Sequence, residues 1–170
     1  MKKGLISVLA TATILFYFIS TANAVGGDYQ PVQKTADTQT DYIESITHKE
    51  GKWYITVDPI EWYEGKAADE QFLKREADSG LDGAPDGYYI VNDDTATQTF
   101  ELSPEAAVLM QLYDRTGDPA ELETHWNESV ALDEFAKLYA KNDVLDLADF
   151  PYHLTVKDGV VTKIVQQFIP

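Results

Sequence analysis

The feature that most constrains the fold is a two-residue alternation of apolar and polar side chains in several short segments. In one of them, Ile55 and Val57 alternate with Tyr54 and Thr56. This period predicts a strand with one buried face, because successive side chains of a strand point to opposite sides. The same pattern recurs at residues 97–102, 152–156 and 160–168. The chain is therefore expected to be rich in strands.

Turn and breaker residues set the expected ends of these strands. Residues 48–51 (HKEG) predict a turn between a strand over 42–46 and the strand over 52–57, so that the two form a hairpin. Asp58-Pro59 is expected to end the second strand, because proline cannot donate to a strand ladder. Residues 61–65 are then expected to form an irregular link.

Two segments have a helical period. Residues 66–77 place Ala68 and Phe72 four apart, and residues 131–139 place Phe135 and Tyr139 four apart. Glycine and proline interrupt the segment between 78 and 87, which predicts a loop, and residues 120–130 are expected to be irregular.

The segment 104–113 is ambiguous. Ser103-Pro104 is typical of a helix start, whereas Val108 and Met110 alternate with their neighbours as in a strand. We favour the strand. The element order is then two strands, a helix, three strands, a helix and two strands. This order indicates the α+β class, with mostly antiparallel strands forming a curved sheet or small barrel and two helices.

The C-terminal hairpin allows two registers. A two-residue turn at Asp158-Gly159 places Leu154 opposite Lys163, which brings a lysine among core residues. A turn with Gly159 as a bulge places Leu154 opposite Thr162 and keeps one apolar face, so we favour it. In that register the inward side chains are Tyr152, Leu154, Val156, Ile164 and Phe168. His153 and Lys163 then share the outer face.

The N-terminus has the features of a signal peptide over residues 1–24. Lys2-Lys3 precede an apolar run that ends in Ala22-Asn23-Ala24, a cleavage signature. Residues 25–40 are polar and without periodicity and are expected to be flexible, so that order begins at Asp41. Residues 41–170 are expected to form a single α+β domain. No second apolar run approaches the roughly 18 residues that a membrane span requires.

Charge and cysteine content exclude several classes of protein. After cleavage the chain would carry 29 acidic and 11 basic side chains, a net charge of −18. This excludes a nucleic-acid binder that works by neutralising phosphates. The absence of cysteine excludes a disulfide scaffold and a thiol enzyme. The dispersed acids form either a cation-attracting surface or one that keeps an exported protein soluble.

Acidic and aromatic residues lie together in one part of the chain. Asp58 and Glu61 precede Trp62 and Tyr63, and such neighbours are typical of carbohydrate-processing clefts. They are compatible with a hydrolase that uses Asp58 or Glu61, or with a sugar-binding face that includes Tyr88. The candidate ligand-contact surface comprises Asp58, Glu61, Trp62, Tyr63 and Tyr88.

Other chemical motifs are incomplete. The three histidines are not accompanied by a G-x-S-x-G nucleophile motif, so a serine hydrolase is not indicated. Residues 78–83 (DSGLDG) are similar to the start of a calcium loop, but the twelfth position is Tyr89 rather than glutamate. We therefore assign no catalytic residue, metal ligand or cofactor.

Three strings carry a resemblance to a known family: 58–65 (DPIEWYEG), 85–92 (PDGYYIVN) and 150–170 (FPYHLTVKDGVVTKIVQQFIP). With them, the chain from about Asp41 onward resembles a family of small exported proteins of spore-forming Gram-positive bacteria whose function is uncharacterised. The resemblance implies export, a bacterial origin and one domain. It implies no catalytic residue, cofactor or partner.

These observations together favour a secreted, non-catalytic binding module that acts at or near the bacterial cell envelope, with a cell-wall component or a secreted protein as its partner. One alternative is a proteinaceous inhibitor or propeptide-like regulator of a secreted enzyme, which would offer an edge strand of its C-terminal hairpin. The other is the hydrolase that uses Asp58 or Glu61.

Overall fold

The computed structural model describes residues 31–169, which form seven strands and two α-helices. The strands are β1 (Thr38–Lys49), β2 (Lys52–Glu64), β3 (Tyr88–Val91), β4 (Gln98–Met110), β5 (Glu128–Val130), β6 (Pro151–Lys157) and β7 (Val160–Gln166). The helices are α1 (Gly65–Arg75) and α2 (Leu132–Tyr139). The expected signal peptide at 1–24 and the first part of the expected flexible segment lie outside the described residues.

Five of the strands close into a barrel. Their order is β2-β1-β6-β7-β4, and β4 pairs back to β2. The β4–β7 ladder is parallel and the other ladders are antiparallel. β3 and β5 extend the sheet at its two ends. The expected α+β class with a small barrel and two helices is therefore confirmed.

The barrel interior and α2 share one hydrophobic core. Ile55, Val57 and Leu154 are fully buried on the inner faces of their strands, and Phe135 of α2 packs into the same cluster. α1 instead packs against a smaller cluster formed by Ala68, Phe72 and Ala84. Both helices lie close to where the sequence period predicts them.

Two-residue turns with a glycine close both hairpins. Glu50 and Gly51 have φ angles of 53° and 78°, and Asp158 and Gly159 have φ angles of 51° and 78°. Two consecutive residues in the left-handed region match the twist of the flanking strands, and glycine at the second position adopts it without steric cost.

The expected register of the C-terminal hairpin is wrong. Val156 pairs with Val161 and Thr155 pairs with Lys163, so Thr162 is an extra, bulged residue. This bulge returns Ile164 to the core opposite Leu154 and leaves Lys163 exposed. The chain thus combines the simple turn with an apolar inner face. Phe168 lies beyond the end of β7, where it is half-buried.

β2 is longer than expected. It continues through Asp58 and Pro59 to Glu64, where an irregular link was predicted. On the side opposite β1, β4 pairs with β2 only as far as Val57, and β3 begins only at Glu61. Pro59 therefore falls where this side of β2 has no neighbour, and no ladder is interrupted there.

Three further boundaries differ from the expectations. β1 begins at Thr38, three residues before Asp41. Residues 104–110 are a strand, as favoured, but they continue β4 rather than form a separate strand. The expected irregular stretch at 120–130 contains β5, whose three residues pair with the end of β4. A strand this short is below what alternation in the sequence can reveal.

Candidate functional site

The alternation of β2 divides the candidate residues between two faces. Asp58 and Trp62 are even-numbered positions that point away from the barrel interior, whereas Glu61 and Tyr63 point to the opposite side of the sheet. Tyr88 of β3 lies on the same face as Trp62. The structure therefore brings three of the five candidates together and separates the other two from them.

Trp62 and Tyr88 form a stacked pair. Their ring centroids are 4.7 Å apart and their planes differ by 14°. Trp62 is only 8% exposed, and its indole nitrogen donates to Glu64 Oε1 at 2.9 Å. Lys34 donates to the backbone oxygen of Trp62 at 3.4 Å, and burial lowers the pKa of Lys34 although Glu64 opposes this. Trp62 thus supports Tyr88, which is the more accessible ring.

Asp58 lies on the same face of β2 as Trp62 and is 9% exposed. It pairs across the ladder with Tyr42 of β1, and its Oδ2 accepts a hydrogen bond from Asn92 Nδ2 at 2.7 Å. Burial raises the pKa of Tyr42, and the nearby Tyr88, Asp149 and Asp58 raise it further. We call this surface the Tyr42–Tyr88 face; it consists of Tyr42, Asp58, Trp62, Tyr88 and Asn92.

Glu61 and Tyr63 belong to the other side of the sheet. The Tyr63 hydroxyl donates to Glu61 Oε2 at 2.5 Å, and Tyr63 packs with Tyr89 against the small cluster under α1. Because Asp58 and Glu61 project from opposite faces of β2, they do not form the facing pair of carboxylates by which most glycosidases act on one bond.

A buried polar region was missed by the sequence reasoning. Asp41 is fully buried, and His153, which was expected to share the outer face with exposed Lys163, is only 2% exposed. His153 does lie on the outer side, but Thr40 and Gln167 cover it. The alternation of Asp41 with Ile43 already indicates an inward carboxyl, so this signal was available in the sequence.

The calcium-like loop and a small pocket are two further places to look for a bound metal or ligand. Asp78 and Asp82 of the calcium-like loop are exposed, and between residues 31 and 169 no three histidine or acidic side chains gather as a metal site. A pocket beside Leu138 and Leu145 has a volume of about 10 Å³, which suits one water molecule.

Comparison with known proteins gives no match among family models, curated proteins or solved structures. In the described part of the chain, neither helix combines the length and apolar character that crossing a membrane requires. The C-terminal hairpin offers no free edge, because β6 lies between β1 and β7 and β7 lies between β6 and β4. The edge-strand mechanism considered for an inhibitor is therefore not available to that hairpin.

Proposed function

We propose that the protein is a secreted, non-catalytic module that binds a glycan of the bacterial cell envelope through the Tyr42–Tyr88 face. The observation that carries the proposal is the stack of Trp62 on Tyr88, on the same face of the sheet as the hydrogen-bonded pair of Asn92 and Asp58. Secretion and the envelope rest on the N-terminal signal pattern and on the family resemblance, which concern the sequence alone.

The chemistry of the face suits a sugar. A sugar ring has apolar C–H faces and a rim of hydroxyl groups, and an aromatic side chain offers an apolar body with a polar tip. Tyr88 and Tyr42 are half-buried, so each presents part of its surface to solvent. The exposed Asn92 has both donors and acceptors for hydroxyl groups, and Asp58 fixes its orientation.

The proposal is tested by co-sedimentation of the purified mature domain with insoluble peptidoglycan from a Gram-positive bacterium. We expect Tyr88→Ala and Tyr42→Ala each to weaken binding at least about tenfold, since each removes an aromatic surface worth about 1.4 kcal/mol or more. Tyr54→Ala is the matched control, because Tyr54 is a half-buried tyrosine farther along β2.

Equal binding by wild type and both face variants would refute the role of this face. Loss of binding in the Tyr54→Ala control as well would indicate a general surface effect. Thermal unfolding of every variant shows whether a loss of binding reflects a loss of folded protein.

A further inference from the structure

The β1–β6 seam, by which we mean the ladder that pairs β1 with β6, contains two buried ionisable groups in adjacent residue pairs. Residues Thr38–Tyr42 of β1 pair with Thr155–Pro151 of β6, five pairs in all. Asp41 faces the barrel interior opposite Tyr152, and His153 faces outward opposite Thr40. An acid and a base thus lie on the two sides of the same short ladder.

Asp41 has too few partners for a buried carboxylate. It has no exposed surface, and its Oδ1 accepts one hydrogen bond, from Gln39 Nε2 at 2.7 Å. Oδ2 has no partner, and none of the ion pairs within residues 31–169 includes Asp41. Burial raises the pKa of Asp41 to about 7; the bond from Gln39 opposes this and the charge of Asp58 adds to it.

His153 is satisfied in its neutral form. Its Nε2 lies 2.8 Å from Gln167 Oε1, and the Gln167 amide nitrogen donates to Phe168 O, so Nε2 carries the proton. Nδ1 then accepts from the Thr40 hydroxyl at 2.9 Å. Burial lowers the pKa of His153 to about 4, against the effect of Gln167, and Lys34 lowers it further.

Other ionisable groups near the seam do not supply a counter-charge to Asp41. They are Asp58 from β2, Tyr152 from β6, Tyr139 from α2, Asp146 and Asp149 from the segment before β6, and Lys34 from the segment before β1. Burial raises the pKa values of Tyr139 and Tyr152, so both phenols stay neutral below pH 7. Lys34 lies on the outer side, near His153 and the Trp62 backbone.

We propose that Asp41 and His153, buried on opposite sides of the β1–β6 seam, form a compensating pair that keeps the stability of this seam nearly independent of pH in mildly acidic solution. Burial of Asp41 is favourable at low pH, where its carboxyl is protonated, and burial of His153 is favourable at high pH, where its imidazole is neutral. Each group therefore stabilises the pairing of β1 with β6 in the part of the range where the other weakens it. An exported protein that meets varying acidity would keep its barrel closed across this range.

Proton linkage determines the direction in which each group changes the stability as the pH changes. The ordinary pKa of Asp41 is near 4, and burial raises it to about 7 in the folded protein. Between these pH values Asp41 is ionised in the unfolded state but protonated in the folded state. Unfolding therefore becomes about tenfold easier for each unit by which the pH rises. The ordinary pKa of His153 is near 6.5, and burial lowers it to about 4 in the folded protein. Between these pH values His153 is protonated only in the unfolded state. Unfolding therefore becomes about tenfold easier for each unit by which the pH falls. Between about pH 4 and 6.5 the two slopes therefore cancel.

Urea unfolding of the mature domain from pH 4 to pH 8 tests the pair through Asp41→Asn, His153→Gln and the double variant. From pH 4 to 7, the unfolding constant of wild type divided by that of Asp41→Asn should rise about 250-fold. From pH 4 to 6.5, the unfolding constant of wild type divided by that of His153→Gln should fall about 80-fold. The double variant should run parallel to wild type. Asp37→Asn and His48→Gln are the matched control variants, because both positions are exposed.

A constant ratio for either seam variant would overturn the proposal, since one group alone cannot compensate. If a seam variant fails to fold, NMR titration of the wild-type protein measures the protonation states of His153 and Asp41 directly. The His153 ring should remain neutral at pH 5 and the Asp41 carboxyl protonated at pH 6. Ionisation of Asp41 near pH 4, or of His153 near pH 6.5, would also overturn it.

Discussion

At the scale of single residues, Gln166 continues the pairing of β4 with β7 after β4 ends at Met110. Its Oε1 accepts from the backbone nitrogens of Gln111 and Leu112 at 2.8 and 2.9 Å, and its Nε2 donates to Leu112 O at 2.9 Å. Gln166 is only 1% exposed. A side-chain amide here replaces the partner strand that the backbone lacks.

Replacing this amide should therefore be costly. Gln166→Leu keeps a similar volume but leaves backbone groups of Gln111 and Leu112 without partners, and each such group costs about 1–3 kcal/mol. We expect the free energy of unfolding in urea to fall by at least about 3 kcal/mol. Gln98→Leu, at an exposed position of the same sheet, should change it by no more than about 0.5 kcal/mol. A Gln166→Leu protein as stable as wild type would show that water takes over these bonds.

At the scale of elements, α1 depends on one aromatic anchor. Gly65 has a φ angle of 53°, which lets the chain pass from β2 directly into the helix. Phe72 then packs edge-to-face on Tyr89, with ring centroids 5.7 Å apart. The cluster under α1 is small, so few other contacts could replace this one.

We expect Phe72→Ala to lower the free energy of unfolding by about 3 kcal/mol, the low end for a buried phenylalanine. The neighbouring Leu73 is 43% exposed, and Leu73→Ala should cost no more than about 0.5 kcal/mol. Urea denaturation followed by circular dichroism measures both. Equal losses in the two variants would mean that α1 is not held through Phe72.

The sequence predicted elements and faces better than it predicted partners. Alternation places Ile55 and Val57 inward, and the helical period identifies Phe72 and Phe135 as buried, because these signals are local. The parallel β4–β7 ladder and the bulge at Thr162 depend on residues far apart in the chain, which no local pattern contains.

The candidate site was predicted in part for the same reason. Asp58, Trp62 and Tyr88 do come together, but Tyr42 was not identified, since its place opposite Asp58 follows from the pairing of β1 with β2. Glu61 and Tyr63 were grouped with them because they are neighbours in the sequence, in a segment that was expected to be an irregular link rather than a strand. Once β2 continues, its period of two separates them.

At the scale of the whole molecule, acidic side chains outnumber basic ones by 29 to 13, a net charge of −16. Most of the ion pairs among the described residues are exposed, as in Lys66–Glu70 and Lys137–Asp133, and such pairs contribute little to stability. We therefore expect repulsion between the acidic side chains to outweigh the stabilisation from these ion pairs.

We expect the thermal midpoint of the domain to rise when about 0.3 M sodium chloride is added at pH 7, because salt screens the repulsion over several ångström. Differential scanning calorimetry measures this shift. Sucrose at equal osmolality is the control for effects other than screening. A midpoint lowered by salt would mean that ion pairs such as Arg115–Glu128 dominate instead.

The order of strands around the barrel also determines when folding can finish during synthesis. β7 is the last barrel strand along the chain, yet it fills the gap between β6 and β4. Before β7 has been synthesised, the other strands can pair at most as an open sheet, because β4 and β6 lack the strand that lies between them. A nascent chain therefore cannot close its barrel before almost the whole domain has been synthesised, because the closing contacts join strands that are far apart in the sequence.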